Sequence, residues 1–518
     1  MSNNSRTMNS IRNITTGFLG QFIQIILGFV NRTIFIKFLA TEYLGISGLF
    51  GNILSILSLA ELGVGSAIIY ALYKPLAEKN EKEVAALMKF YSKAYKVIGA
   101  VVIIIGISLT PFLKVIIKES PQIKENLYVI YLFYLFNTSI TYFFSYKNSI
   151  IVADQKNYIS SLISYGLSFA QTILQIIILV VTKSFLLYLC VQAICTLIYN
   201  VVISTIADKM YPFIKKNRNA ELDKITKRGL ITNIKALMIV KLSGVLVNNT
   251  DNLIITYFSG LSTVGLSSNY TMLIGIVNTV LNQLFGGITA SVGNLNAKES
   301  DEKKVELFNI INFANFWLFG FSAICIIVLL EDVIKIWLGD SYVLPMNIPI
   351  ILAINFYMVG MQNAVWTYKN TMGLFKHGRY ILLFTATLNL GLSMFLGLKF
   401  GLFGILLATA IARLLTNAWY DPYAVYKYGL KRNPIKYFIK YIKYALTIFI
   451  ALIVTLILCN FVNSDMIIGL ILKSMICLII PNIIILIFFS RSDELKYFIN
   501  IARKIIIRIK TSKNLIRI

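Results

Sequence analysis

Histidine is almost missing from this sequence: His377 is the single one, and it falls in a short polar interval. Multi-histidine metal centres are thereby excluded, and triad chemistry has almost no material to work with. Cysteine is scarce as well. Cys190, Cys195, Cys325, Cys459 and Cys477 all lie in apolar stretches, and none forms a Cys-x-x-Cys pair. That pattern argues against a disulfide framework and against a thiolate metal site. Charged residues make up only 14% of the chain, well below the roughly 25% of a soluble protein. Long polar linkers are missing too. The longest polar interval runs from Asp208 to Gly229, whereas a soluble chain of this length would divide into several linked domains. The N-terminal apolar stretch has full spanning length and no small-residue cleavage site, so it is expected to remain as an uncleaved first helix.

What the chain does contain is hydrophobic sequence, 57% of it, with a mean hydropathy of +0.74. Apolar stretches recur at the length of roughly 20 residues needed to cross a hydrocarbon core. They fall at 14–36, 45–72, 97–117, 127–146, 159–182, 185–207, 231–257, 264–290, 307–330, 347–368, 380–398, 401–426, 444–462 and 466–489. Fourteen crossings leave both termini on one side. Of the 49 Lys and Arg, 37 lie in the N-tail and alternate loops, 6 in the opposite loops, and 6 inside segments. The positive-inside rule then places both termini in the cytoplasm, with the chain multi-pass in the cell's inner membrane. The net charge of +26 is accounted for by topology, and nucleic acid is not an expected partner.

An internal repeat organises the segments. Asn31-Arg32-Thr33 recurs as Asn248-Asn249-Thr250, and Leu44-Gly45-Ile46-Ser47 as Val264-Gly265-Leu266-Ser267. The polar run Ala77–Val84 recurs as Ala297–Val305, so the three matches share an offset of 217 to 221 residues. Six helices separate the copies, which predicts a parallel repeat about an axis along the membrane normal. The expected fold is an all-α polytopic membrane protein of about fourteen helices. Residues 1–210 form one six-helix lobe, 211–229 a basic connector, 230–430 the second lobe, 431–490 two extra helices, and 491–518 a basic amphipathic tail on the inner leaflet.

Polar residues inside a bilayer are costly and face a bundle interior or a watery cavity. Lys241, Gly244, Asn248 and Asp251 share one helical face, as do Gln21, Gln24, Gly28 and Asn31, with Arg32 beside them. The repeat overlays Gln24 on Lys241 and Asn31 on Asn248. Asn355, Gln362, Asn363, Trp366, Arg413, Asn417 and Glu61 add further polar positions. A single Asn or Gln is more often a bond between helices. A cation near the midplane costs about 2.5–3.5 kcal/mol, too much for that role alone. Arg32, Lys241 and Arg413 are therefore read as cargo-binding cations, with Asn31, Asn248, Gln24, Gln362 and Asn363 completing the cavity. Glu61 and Asp251 are read as counter-ions or coupling groups. Lys235 and Lys369, nearer the surface, are read as snorkelling cations, and Lys473 is left unassigned.

A two-lobed carrier with this interior calls for an anionic, hydroxyl-rich cargo. The runs Asn31–Gly45, Leu57–Ala67 and Asn249–Asn252 resemble Wzx-type polysaccharide flippases, with the resemblance spanning segments 1–12. It implies a MATE-like fold in the multidrug/oligosaccharidyl-lipid/polysaccharide export superfamily. It also implies undecaprenyl-diphosphate oligosaccharide as cargo, alternating access as mechanism, no catalysis and no cofactor. Coupling to H+ or Na+ stays open. Membrane lipids, a polysaccharide polymerase and chain-length machinery are the other expected partners. Two alternatives remain: a drug–cation antiporter of the same fold, whose cargo a cationic interior would repel, and a polytopic polymerase or glycosyltransferase, for which the outer intervals 118–126 and 331–346 are short.

Overall fold

A computed structural model describes residues 3–500 and 503, apart from 62–63, 118–120, 122, 225, 233, 235–237, 239–249, 375–376, 379 and 463–465. The described secondary structure is helical throughout. Eleven helices among the described residues are long and apolar enough to cross a membrane. Their outward faces carry exposed Val181, Leu398, Phe449, Ile467, Leu478 and Ile487. Apolar surface on this scale suits lipid rather than water.

Two compact units are present, Met1–Ser268 and Asn269–Ile518. The first holds α1 (Asn3–Phe38), α2 (Thr41–Leu57), α3 (Val64–Ala77), α4 (Glu81–Leu109), α5 (Leu127–Phe144), α6 (Tyr146–Ala153), α7 (Asn157–Thr182) and α8 (Phe185–Met210). Helix α9 (Asp251–Lys298) contains the unit boundary and leaves helical geometry at Gly260. The second unit continues with α10 (Asp301–Leu338), α11 (Asn347–Thr371), α12 (Ile381–Leu415), α13 (Asn417–Ala424), α14 (Ile435–Asn460) and α15 (Met466–Phe489). Local signals set several starts. Asn80 accepts from the Glu83 N–H at 3.2 Å, an N-cap that opens α4, and its side-chain amide donates to the Glu83 carboxylate at 2.9 Å.

The structure revises some expected segments. The stretch 45–72 is not one helix: α2 ends at Leu57, a tight turn runs over Ser58–Glu61, and α3 starts at Val64. Ser55 and Ser58 bond back to the carbonyls of Gly51 and Leu54, both at 2.8 Å, and such bonds weaken and bend a helix. Segments 380–398 and 401–426, by contrast, keep their expected division: α12 is two helices that part at Gly401 (φ 53°, ψ −134°). There the chain folds back on itself. Asn389 donates to Thr409 at 2.8 Å, and Thr385 and Thr416 share a hydroxyl bond of 2.7 Å. In a straight helix those pairs would lie about 30 and 46 Å apart. Only a glycine adopts the Gly401 backbone without strain.

In the second unit, α14 and α15 pack on α10. Lys473 of α15 pairs with Asp332 of α10 at 2.7 Å, and the Trp317 indole donates to Asn482 at 2.6 Å. Phe316 and Tyr444 stack between them, and Phe489 packs tilted against both. Cys325, Cys459 and Cys477, far apart in sequence, meet in this same packing.

Candidate functional site

In the first unit, the polar face of α1 meets α7 and α8. Asn31 donates to the Tyr188 hydroxyl at 2.9 Å and to the Gln175 side-chain oxygen at 3.3 Å. Those bonds make Asn31 a helix-to-helix contact here, the commoner role of a membrane asparagine. Arg32 turns the other way, and its guanidinium donates to the Ser268 hydroxyl. Ser268 in turn donates to the Gly265 carbonyl at 2.6 Å, and the Tyr134 and Tyr188 phenols face the same guanidinium. Gln24 lies about two turns away on α1, half-buried.

Glu61 occupies the break between α2 and α3. Its carboxylate accepts from the Tyr95 hydroxyl. The Tyr91 ring stands 4.4 Å from that of Tyr95, and Tyr142 lies 6.0 Å beyond. Ser149 donates to Tyr91 at 3.0 Å, so the phenols are themselves bonded. The partner displayed by Glu61 is thus a phenol rather than one of the membrane cations. A short distorted turn inside a membrane segment often marks a hinge, and here it places the acid.

The two copies of the repeat touch each other. A Cβ added at Gly45 would stand 2.1 Å from the Leu261 carbonyl oxygen, and one at Gly265 would stand 2.4 Å from the Thr41 carbonyl oxygen. Thr41 and Leu261, like Gly45 and Gly265, are 220 residues apart, the offset of the repeat. The contact is therefore reciprocal, the signature of a two-fold relation between the copies. Ser262 adds a bond to the Glu42 carboxylate at 3.0 Å. Beside this contact, burial pushes the Tyr43 phenol up to about 12, and its hydrogen bond to Glu125 acts in the same direction.

In the second unit, Gln362 is buried, and its amide reaches the Asn417 carbonyl at 3.5 Å. The side-chain oxygens of Gln362 and Asn417 are buried without a hydrogen-bond partner among the described residues. Asn363 donates to Asn282 at 3.3 Å, and Asn282 to Asn278 at 3.1 Å, a polar ladder between α9 and α11. Arg413 sits half-buried in the last turn of α12, where a cation complements the helix dipole. Lys369 differs from its expected snorkelling role. It pairs with Asp421 at 2.6 Å, the two side chains only 14% and 2% exposed, and the Trp366 indole donates to the same carboxylate at 3.3 Å. Asp251 stands in the first turn of α9. Lys235, Lys241, Gly244 and Asn248 lie outside the described residues, as does most of the expected amphipathic tail.

Asp332, Asp421, Asn282 and the tyrosines around Glu61 were not singled out from the sequence. A lone acid within an apolar segment was the available signal for Asp421, since it demands a partner, whereas Asp332 sits beside Glu331 in an interval that reads as an outer loop. Nothing local marks a tyrosine that will cap a carboxylate.

No family model matches the sequence, and no match is found among curated proteins. Solved structures do share the fold. A lipid II flippase MurJ in an inward closed conformation is 16% identical, with a TM-score of 0.62, covering 93% of this chain and 99% of that one. An inward-facing multidrug resistance MATE family transporter of the MOP superfamily is 15% identical, with a TM-score of 0.58 over 79% of this chain and 95% of that one. A MOP superfamily transporter from Pyrococcus furiosus, described as having a binding pocket of reverse polarity, is 12% identical, with a TM-score of 0.52 over 83% and 97%. The chain therefore has the polytopic fold of these carriers along nearly its whole length.

Proposed function

We propose that this protein moves an undecaprenyl-diphosphate-linked oligosaccharide from the inner to the outer leaflet of the cytoplasmic membrane by alternating access. The observation that carries the reading is Arg32, a cation in the spanning part of α1 whose guanidinium donates to the Ser268 hydroxyl. A diphosphate leaving water needs charge-assisted hydrogen bonds, and a guanidinium fork matches its oxygens. Lys241 and Arg413 complete the proposed clamp. Gln362 and Asn417 present open, buried acceptors suited to sugar hydroxyls. An inside-negative potential would favour outward passage of the anionic headgroup by about 2.3 kcal/mol per charge per 100 mV.

Arg32→Gln tests this reading. A lost charge-assisted bond of roughly 1.5–3 kcal/mol weakens binding about tenfold to a hundredfold. The variant should reach the membrane at the parent's level yet fail to support polymer export in a flippase-deficient cell, whereas Ser268→Ala should retain most export. Equal export by Arg32→Gln and the parent refutes the clamp. Efflux of a cationic drug, abolished by the same change, would instead support the antiporter reading.

The topology has its own check. Cysteines at Lys79, Lys216 and Lys436 should resist a membrane-impermeant thiol reagent added outside intact cells, and one at Asn463 should react. Labelling at Lys216 would overturn the cytoplasmic placement of the connector.

A further inference from the structure

We propose that the first unit carries, at its cytoplasmic end, a site for the phosphate headgroup of an anionic phospholipid. The site is a cavity of about 630 Å³ between α4, α6, α8 and the helical turn Phe213–Lys216. Six cations line it: Lys89, Lys93 and Lys96 from α4, Lys147 from α6, and Lys215 and Arg218 from the turn and the loop after it. Asp208 is the single carboxylate in the lining, and it is engaged by Lys147 and Lys215, each at 2.9 Å. Lys89 faces Glu221 at 3.8 Å. Lys93, Lys96 and Arg218 have no carboxylate partner among the described residues. Positive-inside topology explains the sign of these charges but not their convergence on one cavity.

Depth and shape favour a lipid over a soluble anion. Lys89, Lys93 and Lys96 follow one another at i, i+4 and i+7 on one face of α4. The apolar run of that helix begins at Val97, so the lysine stripe ends at the membrane boundary, where lipid phosphates lie. Beyond it the face of Lys93 continues as Val97, Val101 and Ile104, all exposed. An acyl chain can lie along that stripe while its phosphate enters the cavity, over a floor that includes Met88, Ile150 and Ile214. Basic pockets between membrane helices on the cytoplasmic side bind anionic headgroups for these reasons.

The inference rests on the topology proposed above but not on the cargo, and its test reads lipid retention rather than transport. The purified full-length protein, equilibrated in mixed micelles of phosphatidylglycerol and phosphatidylcholine, should retain phosphatidylglycerol selectively by native mass spectrometry. Lys93→Gln/Lys96→Gln/Arg218→Gln should lower that retention at least about tenfold, the loss expected for removed charge-assisted contacts. Lys79→Gln/Lys82→Gln, exposed lysines outside the cavity, should leave it unchanged. If the triple variant is not monodisperse, Lys96→Gln alone should still lower retention severalfold. Unchanged retention in the cavity variants, or an equal loss in the Lys79 and Lys82 control, overturns the site. Displacement of the lipid by millimolar inorganic phosphate identifies a soluble-anion site and overturns the lipid assignment. A glycolipid-transport defect without a change in retention bears on the proposed function and leaves this site standing.

Discussion

Replacing Lys473 by methionine is expected to destabilise the protein by about 3 kcal/mol. The change leaves Asp332 without the ammonium that stands 2.7 Å away, in a pair whose side chains are only 26% and 27% exposed, and breaking such a pair from one side costs about 3 kcal/mol, the low end of the range for buried pairs. Removing one member of an ion pair in a low-dielectric setting is far worse than removing both. The double variant Lys473→Met/Asp332→Leu should therefore recover most of the loss. The readout is unfolding in detergent, together with the amount of folded protein recovered from membranes. A single variant as stable as the parent, or a double variant no better than the single, would show that the pair does not hold α15 to α10.

The second large effect is expected at the reciprocal glycines. Gly45→Leu would set a Cβ 2.1 Å from a backbone oxygen of Leu261, a contact that no side-chain rotation relieves. Overpacking of this kind costs about 1–3 kcal/mol or more. Set against one conformation of the proposed transport cycle, the upper part of that range shifts its population about a hundredfold. Gly45→Leu and Gly265→Leu should each lower transport at least about tenfold at matched protein levels, and Gly45→Ala should act in the same direction. Gly51→Ala, where an added Cβ meets nothing within 4 Å, should be harmless. A disulfide between cysteines at Glu42 and Ser262, whose side chains now touch at 3.0 Å, should stop transport until reduced. Full transport by Gly45→Leu, or with the disulfide complete, would remove this contact from the cycle.

Hydropathy and length are local properties, and so the membrane class and the position of most spans are legible in the sequence alone. Glycines that end helices are local too: Gly260 and Gly401 sit at the junctions expected between segments 7 and 8 and between 11 and 12. The repeat was readable for a related reason, because Leu44–Ser47 and Val264–Ser267 keep their order and spacing along the chain. That these motifs press on one another, Gly45 against Leu261 and Gly265 against Thr41, is a property of the packing. No spacing rule links residues 220 positions apart. The same limit governed the charges. Sequence located Lys473 inside an apolar segment and Lys369 just past the end of one, but only tertiary structure decided that Lys369 meets Asp421 and Lys473 meets Asp332. It likewise set Glu61 against Tyr95 and turned Asn31 toward Tyr188. A buried polar group must find a partner within about 3 Å. Which one it finds depends on how helices remote in sequence pack, and hydropathy along the chain carries no record of that.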